Sequence, residues 1–559
     1  MKFSAEVREG LLKRLEQERF DMVVIGGGIT GAGVLREASL RGIKVALLEK
    51  GDFASGTSSR SSKLVHGGLR YLEQYDFGLV FESTQERSRL MRLGSHVIRP
   101  LPFVMPIFRN SRHGLWFINA GLWLYDLLGT FRNYRLHKCL SRTKLLACEP
   151  GLRPEGLTGG LLYYDAVTDD ARLTLENVLA GYRNGGLPLS RVEVHGVTLS
   201  DGRVDRLEVE DKISGRRFMV HTKCVVAAAG PWTEQVMRRL GHESQGPHLR
   251  PTKGIHVVLP HAVLPISHAV VMAAPRDGRM MFAIPWKGAT ILGTTDTDWN
   301  GNPDEVFADS ADVDYLLEAA RYHFPSVHID ATDVIGTWAG LRPLIREEGV
   351  AESKMSREEE VTVDPSGIVA IAGGKLTTFR LMAIETVNAA KPFLPDVRIG
   401  PSLTRRLPLF YEGGMPGEVD LGATLSALEE SAGVSREVAA HLVNTYGGAV
   451  EHVLALANGD RALLHPIHPA LPYLRVEVLH AVSNEMTLTL EDFMVRRTSI
   501  FLLLPDQGMS VAREVAGLMG ARLGWDAARI ETQIADLKCL ADAHMACVRG
   551  GGAGPGGVA

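Results

Sequence analysis

The chain has 559 residues, of which 45% are hydrophobic and 23% charged, a composition typical of a globular protein long enough for several domains. Its formal net charge of −4 gives no electrostatic reason to expect binding to nucleic acid. The five cysteines are scattered without a CxxC pair. This argues against a disulfide framework, a zinc site or an iron–sulfur cluster, and it suits a reducing compartment.

The N-terminal segment 1–20 has the charged, periodic pattern of an amphipathic helix rather than that of a secretory signal. No stretch is long and apolar enough to predict a transmembrane helix. The aromatic segment 115–125 is too short to span a bilayer, and two interpretations stay open for it: a buried helix, or a helix at a membrane interface.

A dinucleotide-binding pattern begins at Asp21. An apolar run leads into glycines at 26, 28 and 31, and a helix-forming segment then leads into a second apolar run at 44–49. The three glycines permit a tight turn, a close backbone approach to a pyrophosphate, and close packing of helix on strand. Glu49 follows the first glycine by about 20 residues, where a carboxylate binds a ribose diol and disfavours NADP. The pattern does not distinguish FAD from NAD.

The remaining segments predict an α/β protein with a discontinuous, Rossmann-like domain. The strand and small-residue turn at 223–232 and the strand, glycine turn and helix start at 368–380 extend the first sheet, whereas the short alternating strands at 250–340 are typical of an antiparallel sheet. We therefore predict an N-terminal helix at 1–20, a cofactor-binding domain at 21–75, 160–245 and 335–395, an inserted antiparallel-sheet substrate or cap domain at 76–159 and 246–334, an α-helical C-terminal domain at 400–548, and a disordered tail at 549–559.

Two further segments carry functional groups. The loop 51–71 is rich in glycines, hydroxyls and basic side chains, as expected of a cradle for a phosphate or a ring. The pair Arg496-Arg497 adjoins an apolar run in the helical region. We expect these two arginines on a solvated basic face, and an interaction surface is the alternative.

The sequence resembles the FAD-dependent glycerol-3-phosphate dehydrogenases of the quinone-reducing bacterial type, within the class that includes D-amino-acid oxidase. The most specific matching blocks are KLVHGGLRYL at 63–72 and GGKLTT at 373–378. The others are the glycine fingerprint, DDARL at 169–173, AGPW at 229–232, KGIH at 253–256, GTTD at 293–296 and GLRPL at 340–344. Together these blocks extend over residues 21–400 approximately, and the C-terminal region matches more loosely.

The resemblance implies non-covalent FAD and oxidation of sn-glycerol 3-phosphate to dihydroxyacetone phosphate, with hydride transfer from C2 to flavin N5. It also implies a ubiquinone-type acceptor and a cytoplasmic protein attached peripherally to the inner face of the cell membrane; a homodimer is left open. The expected cofactor contacts are Gly26, Gly27, Gly28, Ile29, Thr30, Gly31, Glu49, Lys50, Thr57, Ser58, Ser62, Lys63, Leu64, Val194, Ala229, Gly230, Gly374, Lys375, Leu376 and Thr377.

The substrate that the resemblance implies carries a phosphate and a hydroxyl, and each needs a partner. We expect Arg70 and Arg342 to hold the phosphate because a guanidinium binds phosphate oxygens bidentately. Lys375 and Tyr71 would add donors. His66 and His256 are the candidates for the base, since an imidazole has a pKa near working pH. We expect His66 to act as the base and His256 to hydrogen-bond the substrate, although the two roles are exchangeable.

Three alternatives share part of this evidence. An oxidase that passes electrons to oxygen has overlapping motifs, and turnover with oxygen or with a quinone would separate the two. An amine or amino-acid oxidase would have less use for several cations near its substrate. A non-enzymatic, FAD-binding module at a membrane surface would bind flavin that no polyol phosphate reduces.

Overall fold

The computed structural model describes residues 2–74, 76–130, 134–242, 246–346, 359–409 and 421–549. Its strands are β1 Arg19–Ile25, β2 Val45–Glu49, β3 Leu64–Val65, β4 Ile98–Phe108, β5 Lys138–Ser141, β6 Leu157–Thr168, β7 Leu187–Ser190, β8 Val192–Ser200, β9 Arg203–Asp211, β10 Arg217–Ala227, β11 Leu249–Pro260, β12 Ala269–Ala273, β13 Met280–Trp286, β14 Ala289–Gly293, β15 Thr297–Asp298, β16 Gly336–Ile345, β17 Glu359–Val363 and β18 Ile368–Gly373.

The α-helices are α1 Arg8–Gln17, α2 Ile29–Leu40, α3 Phe77–Leu93, α4 Leu115–Leu128, α5 Arg142–Cys148, α6 Asp170–Arg183, α7 Thr233–Arg239, α8 Ser310–His323, α9 Phe379–Ala390, α10 Leu421–Ala432, α11 Arg436–Tyr446, α12 Val450–Ala455, α13 Arg475–Asn484, α14 Ile500–Leu503, α15 Met509–Leu523 and α16 Ala527–Arg549. A π-helical turn, Asp492–Arg497, precedes α14.

The first sheet has the strand order β17-β18-β10-β1-β2-β7, and the five strands from β18 to β7 are parallel. β2, β18 and the C-terminal halves of β1 and β10 are apolar and buried, as expected for parallel strands covered on both faces. α2 packs beside both α6 and α9. β8 and β9 extend this sheet as antiparallel strands next to β10. The Rossmann-like core that the glycine pattern predicts is confirmed.

The second sheet has ten strands in the order β15-β11-β14-β13-β12-β4-β6-β3, with β16 beside β11 and β5 beside β6. All of its described pairs are antiparallel except β4 and β12, which run parallel. One face of this sheet packs on α8, and the other packs on the C-terminal region through the core that includes Trp286, Trp338 and Phe501. The predicted α/β fold with an inserted antiparallel sheet and a helical C-terminal domain is confirmed.

The two sheets share chain segments more closely than the predicted boundaries suggest. β3, β6 and β16 belong to the second sheet, although the predicted boundaries place their residues, apart from 157–159, in the cofactor-binding domain. The chain crosses between the sheets at these strands, so each of the three places one end beside the cofactor region. The domain boundaries themselves stay a prediction, and residues 550–559 of the predicted tail lie outside the described residues.

One prediction of burial is wrong, and one of two open interpretations is excluded. Arg496 and Arg497, expected on a solvated face, are only 6% and 5% exposed, because both pair with the carboxylate of Asp52. α4 is not a buried helix: Trp116 is 80% exposed, and Phe117, Trp123 and Leu127 are each more than half exposed. Only Leu122, Tyr125 and Asp126 of that helix are buried. Along the described parts of the chain, no helix combines the length and apolar composition needed to cross a bilayer.

Candidate functional site

The carboxyl ends of β1, β2, β10 and β18 meet at one edge of the first sheet, where a cleft of about 1810 Å³ opens toward the second sheet. This edge is where parallel α/β sheets bind their ligands. Sixteen of the expected cofactor residues line the cleft: Gly26, Gly28, Ile29, Thr30, Glu49, Lys50, Thr57, Ser58, Ser62, Leu64, Val194, Ala229, Gly230, Gly374, Lys375 and Leu376.

The turn after β1 accepts only glycine at two positions. Gly26 has φ +110°, and a Cβ there would lie 2.5 Å from the carbonyl oxygen of Ala228. A Cβ on Gly31 would overlap the carbonyl oxygen of Gly26, so α2 could not pack this close to β1. The first turn of α2 faces the cleft with its positive end, and Ser58 Oγ accepts the Ile29 N–H at 2.8 Å. The turn therefore has the shape and polarity of a pyrophosphate cradle, which fits FAD.

Glu49 ends β2 inside the cleft and is held by two backbone N–H groups. Its carboxylate accepts the Gly27 N–H at 2.6 Å and the Gly51 N–H at 2.7 Å. Burial raises the pKa of Glu49, while these two hydrogen bonds oppose that shift. The carboxylate is thus fixed at the sheet edge, where a ribose diol of the cofactor would reach it.

Four expected cofactor residues do not line the cleft: Gly27, Gly31, Lys63 and Thr377. Lys63 binds within the protein, since its Nζ lies 2.6 Å from Asp170 Oδ1 and 2.5 Å from the Ser59 carbonyl oxygen. Thr377 Oγ1 bonds the backbone N–H and carbonyl oxygen of His66, at 3.2 and 3.1 Å. Lys63 and Thr377 therefore shape the loops that line the cleft.

Lys50 lines the cleft, but its ammonium is already paired. Nζ lies 2.7 and 2.8 Å from the two carboxylate oxygens of Asp304, which also accepts the Trp232 Nε1–H at 3.0 Å. Lys50 follows β2 of the first sheet and Asp304 follows β15 of the second, so this pair links the two sheets at the cleft rim.

Five of the six expected catalytic residues line the same cleft: His66, Tyr71, His256, Arg342 and Lys375. They come from the loop after β3, from β11, from β16 and from the turn after β18, so no single element could have assembled them. The Arg70 side chain lies outside the described residues. Lys375 Nζ lies 3.7 Å from the centre of the Tyr71 ring, which places its charge over the ring face.

His256 is buried and has one defined hydrogen bond. Its Nε2 lies 2.8 Å from Ser62 Oγ, and its ring stacks on Trp338 with centroids 4.8 Å apart. Burial, with the nearby charges of Arg342 and Lys63, lowers the pKa of His256 well below its usual value. The imidazole is therefore neutral at pH 7, and a Cβ at Gly293 would overlap its ring.

Arg342 is oriented by several acceptors. Its Nη1 donates to Asp296 Oδ1, and its Nη2 donates to Thr294 Oγ1 and to the Thr295 carbonyl oxygen, each at 2.9 Å. These partners fix the plane of the guanidinium at the cleft wall. Thr294 and Asp296 were not predicted as site residues, although the block GTTD that contains them is one of those quoted for the resemblance. Among the described residues, no group of three or more His, Cys, Asp or Glu could hold a metal ion.

Comparisons with known proteins agree with this geometry. A family model of FAD-dependent oxidoreductases matches residues 21–379, and a model of the C-terminal domain of alpha-glycerophosphate oxidase matches residues 402–530. The chain is 40% identical to glycerol-3-phosphate dehydrogenase 2 of Mycobacterium bovis, over 95% of this chain and 90% of that one. It is 36% identical to the aerobic glycerol-3-phosphate dehydrogenase of Bacillus subtilis, over 94% of this chain and 95% of that one.

A solved structure extends the agreement to the whole fold. The glycerol-3-phosphate dehydrogenase from Bacillus halodurans, complexed with FAD, matches with a TM-score of 0.80 and 32% identity over 97% of this chain and 98% of that one. The cradle at Gly26 and the carboxylate of Glu49 fit the same cofactor, so FAD is the cofactor of this fold. The chain belongs to the family of FAD-dependent glycerol-3-phosphate dehydrogenases.

Proposed function

We propose that this protein oxidises sn-glycerol 3-phosphate to dihydroxyacetone phosphate and passes the electrons to a membrane quinone. The observation that carries the proposal is that His66, His256, Arg342 and Lys375 line one cleft together with the FAD cradle. The relatives named above are glycerol-3-phosphate dehydrogenases, which supports the same substrate.

The cleft has the electrostatics that a phosphate ester needs. Arg342 lines it with a guanidinium whose plane is fixed, and Lys375 adds an ammonium. The positive charge of Arg342 also disfavours protonation of His256. The positive charges of Arg342 and Lys375 also attract a phosphate, because a guanidinium and an ammonium stabilise its negative charge with directed N–H donors. We assign binding of the phosphate to Arg342 and Lys375, and we keep the prediction that Arg70 also binds it.

Oxidation of the alcohol needs a proton acceptor and a hydride acceptor. FAD, when bound, supplies the hydride acceptor, at N5. His66 lines the cleft on a loop whose backbone Thr377 holds on both sides, so this imidazole is the base that we assign to the hydroxyl proton. His256 is neutral and bonded to Ser62, which suits a hydrogen-bonding partner of the substrate better than a strong base.

We propose the electron acceptor from the exposed surface of α4. Trp116 and Phe117 line the cleft and are also exposed, so an apolar surface continues from the cleft to the outside of the molecule. Aromatic side chains of this kind favour the interface between lipid and water. We therefore propose peripheral attachment through α4 at the cytoplasmic face of the inner membrane, where a ubiquinone-type acceptor is available. The homodimer stays an open prediction.

A glycerol-3-phosphate oxidase is the second candidate, because the model that matches residues 402–530 is named for the C-terminal domain of alpha-glycerophosphate oxidase. The two are separated by supplying sn-glycerol 3-phosphate with either a short-chain quinone in the absence of oxygen or oxygen alone. We expect one dihydroxyacetone phosphate formed per quinone reduced, with little peroxide formed under oxygen. Peroxide formed at the rate of substrate loss would establish the oxidase instead.

A further inference from the structure

The carboxylate of Asp52 receives three hydrogen bonds from the far end of the chain. Arg496 Nε donates to Oδ2 at 2.7 Å, Arg497 Nη1 donates to Oδ2 at 2.7 Å, and Arg497 Nη2 donates to Oδ1 at 2.9 Å. Asp52 is 1% exposed, and both arginines are nearly as buried. The pair Arg497–Asp52 is bidentate, which is the geometry that fixes orientation as well as distance.

Asp52 belongs to the loop that carries the ribose-facing carboxylate. Glu49, Lys50 and Gly51, the three residues before it, all line the cleft. Glu49 Oε1 accepts the Gly51 N–H at 2.7 Å, so the backbone of this loop and the carboxylate hold each other in place. Asp52 therefore lies within three residues of the carboxylate that we expect to bind the ribose of FAD.

The same π-helical turn reaches the loop by a second route. Asp492 Oδ1 accepts Arg191 Nη2 at 2.7 Å, and the backbone N–H of Arg191 donates to the Gly51 carbonyl oxygen at 2.8 Å. Arg496 Nη2 donates to Asp492 Oδ1 at 2.7 Å, which ties the two routes together. The turn Asp492–Arg497 thus contacts Asp52 directly and reaches Gly51 through Arg191.

The turn also adjoins the cleft directly. Glu491, the residue before it, lines the cleft and accepts Arg496 Nη1 at 2.7 Å. The carboxylates of Asp52, Glu491 and Asp492 are balanced by the guanidinium groups of Arg191, Arg496 and Arg497. Buried ion pairs of this kind add little net stability, because desolvation offsets their attraction, but loss of one partner leaves a buried charge unpaired. These ion pairs therefore serve mainly to fix the positions of the segments that they join.

We propose that the turn Asp492–Arg497 is a clamp on the cofactor loop 49–52, and that Arg497 is a positioning residue for FAD. The C-terminal region would then hold the cofactor in place as well as cover the core of the second sheet. This role concerns FAD retention and is independent of which substrate the flavin oxidises.

The test compares Arg497→Gln with Arg41→Gln in the full-length protein. Arg41 is equally buried and bonds Asn388 Oδ1 at 3.0 Å and the Gly400 carbonyl oxygen at 2.9 Å, but it follows the end of α2, about 18 Å along the helix from the cleft. Each variant is stripped of FAD and titrated with FAD, following flavin fluorescence, well below its melting temperature. Thermal unfolding of each apoprotein gives the loss of stability separately.

We expect Arg497→Gln to weaken FAD binding by about tenfold or more, and Arg41→Gln to leave it within twofold, even where both lower the melting temperature. Arg497→Lys keeps the charge but not the fork, and it should fall between Arg497→Gln and the native protein. FAD affinity within twofold of the native value for Arg497→Gln would overturn the proposal. If that variant does not fold, Asp52→Asn, which keeps the shape of the acceptor, is tested in the same way. FAD binding about tenfold weaker supports the proposal, and FAD affinity within twofold of the native value overturns it.

Discussion

At the scale of single residues, His66 and His256, two of the histidines that line the cleft, differ in their surroundings rather than in their chemistry. His256 is buried against Trp338, and the charge of Arg342 helps to keep it neutral. His66 lies on a loop held by Thr377 and is less deeply buried. His256 is already bonded to Ser62, so we assign proton removal to the less buried His66.

We predict that His66→Ala lowers kcat by about a hundredfold to ten-thousandfold, the usual contribution of a general base. The flavin spectrum and the FAD content should stay native, because the contact of this segment with Thr377 is made by backbone atoms. Steady-state turnover of sn-glycerol 3-phosphate measures the effect. Near-normal turnover of the flavin-loaded variant would remove His66 from the mechanism.

For Arg342, we predict that Arg342→Lys raises KM by about tenfold to a hundredfold, because the lysine keeps the charge but loses the planar fork. The matched control is Arg250→Lys on the neighbouring strand β11. Arg250 pairs with Asp298 at the surface, with Nε and Oδ1 2.9 Å apart, and does not line the cleft. Equal KM values for the two variants would show that Arg342 does not hold the substrate.

At the scale of elements, α4 shows what a sequence pattern leaves undecided. The segment 115–125 is rich in aromatic residues, and a helix is predicted there correctly, but the pattern does not say which face meets the protein. In the structure, Tyr125 and Leu122 pack inward, and Tyr125 donates to Asp165 at 2.9 Å, while Trp123 and Leu127 face outward. An exposed apolar face on a helix is typical of an interaction site, which supports the membrane contact proposed above.

We predict that the double variant Trp123→Ser/Leu127→Ser binds lipid vesicles at least about tenfold more weakly, since it removes apolar surface from the membrane-facing side. Both side chains lie outside the cleft lining. The control is Ile213→Ser, which removes an equally exposed apolar side chain near β9 and β10. Vesicle co-sedimentation measures both. Equal loss in the two variants, or no loss in either, would contradict a docking role for α4.

The C-terminal helix α16 gives the molecule a pH-dependent contact. His544 Nδ1 bonds the Thr337 carbonyl oxygen at 2.9 Å, and burial lowers the pKa of His544 from 6.5 to about 4. Between these two values the unfolded chain binds a proton that the folded chain does not, so stability falls as the pH falls from 6.5 toward 4.

We predict that this one histidine costs about 1 kcal/mol of stability between pH 7 and pH 5.5. Urea unfolding at both pH values measures it, and His544→Gln should show a smaller difference between them, since Gln does not titrate. Some difference will persist, because burial also lowers the pKa of His256 and of His323. An unchanged difference in the variant would contradict the assignment.

At the scale of the whole molecule, local patterns predicted the parts of the fold that are encoded locally. The glycine turn at Gly26, the carboxylate at Glu49 and the second strand end at Gly374 follow from short motifs, and all three meet at the cleft. The pairing of Lys63 with Asp170 and of Arg497 with Asp52 joins residues 107 and 445 positions apart. No local periodicity records such pairs, which is why the role of Lys63 and the burial of Arg497 were missed.

The short strand β3 was missed for a similar reason. This strand consists of Leu64 and Val65 alone, and it is recognisable as a strand only because it pairs with β6. This pairing places His66 at the junction of the two sheets. The assembly of the site thus depends on contacts between segments that the sequence presents far apart, and the resemblance to a known family supplied the residues that periodicity could not.

The central claim is that this cleft oxidises sn-glycerol 3-phosphate, and the most direct measurement is anaerobic. The visible spectrum of the purified, FAD-loaded protein is recorded while sn-glycerol 3-phosphate is added, with glycerol and a D-amino acid as controls. We expect the oxidised-flavin band to bleach with the phosphate ester alone. A flavin that stays oxidised with sn-glycerol 3-phosphate, or that bleaches equally with a D-amino acid, would contradict the account.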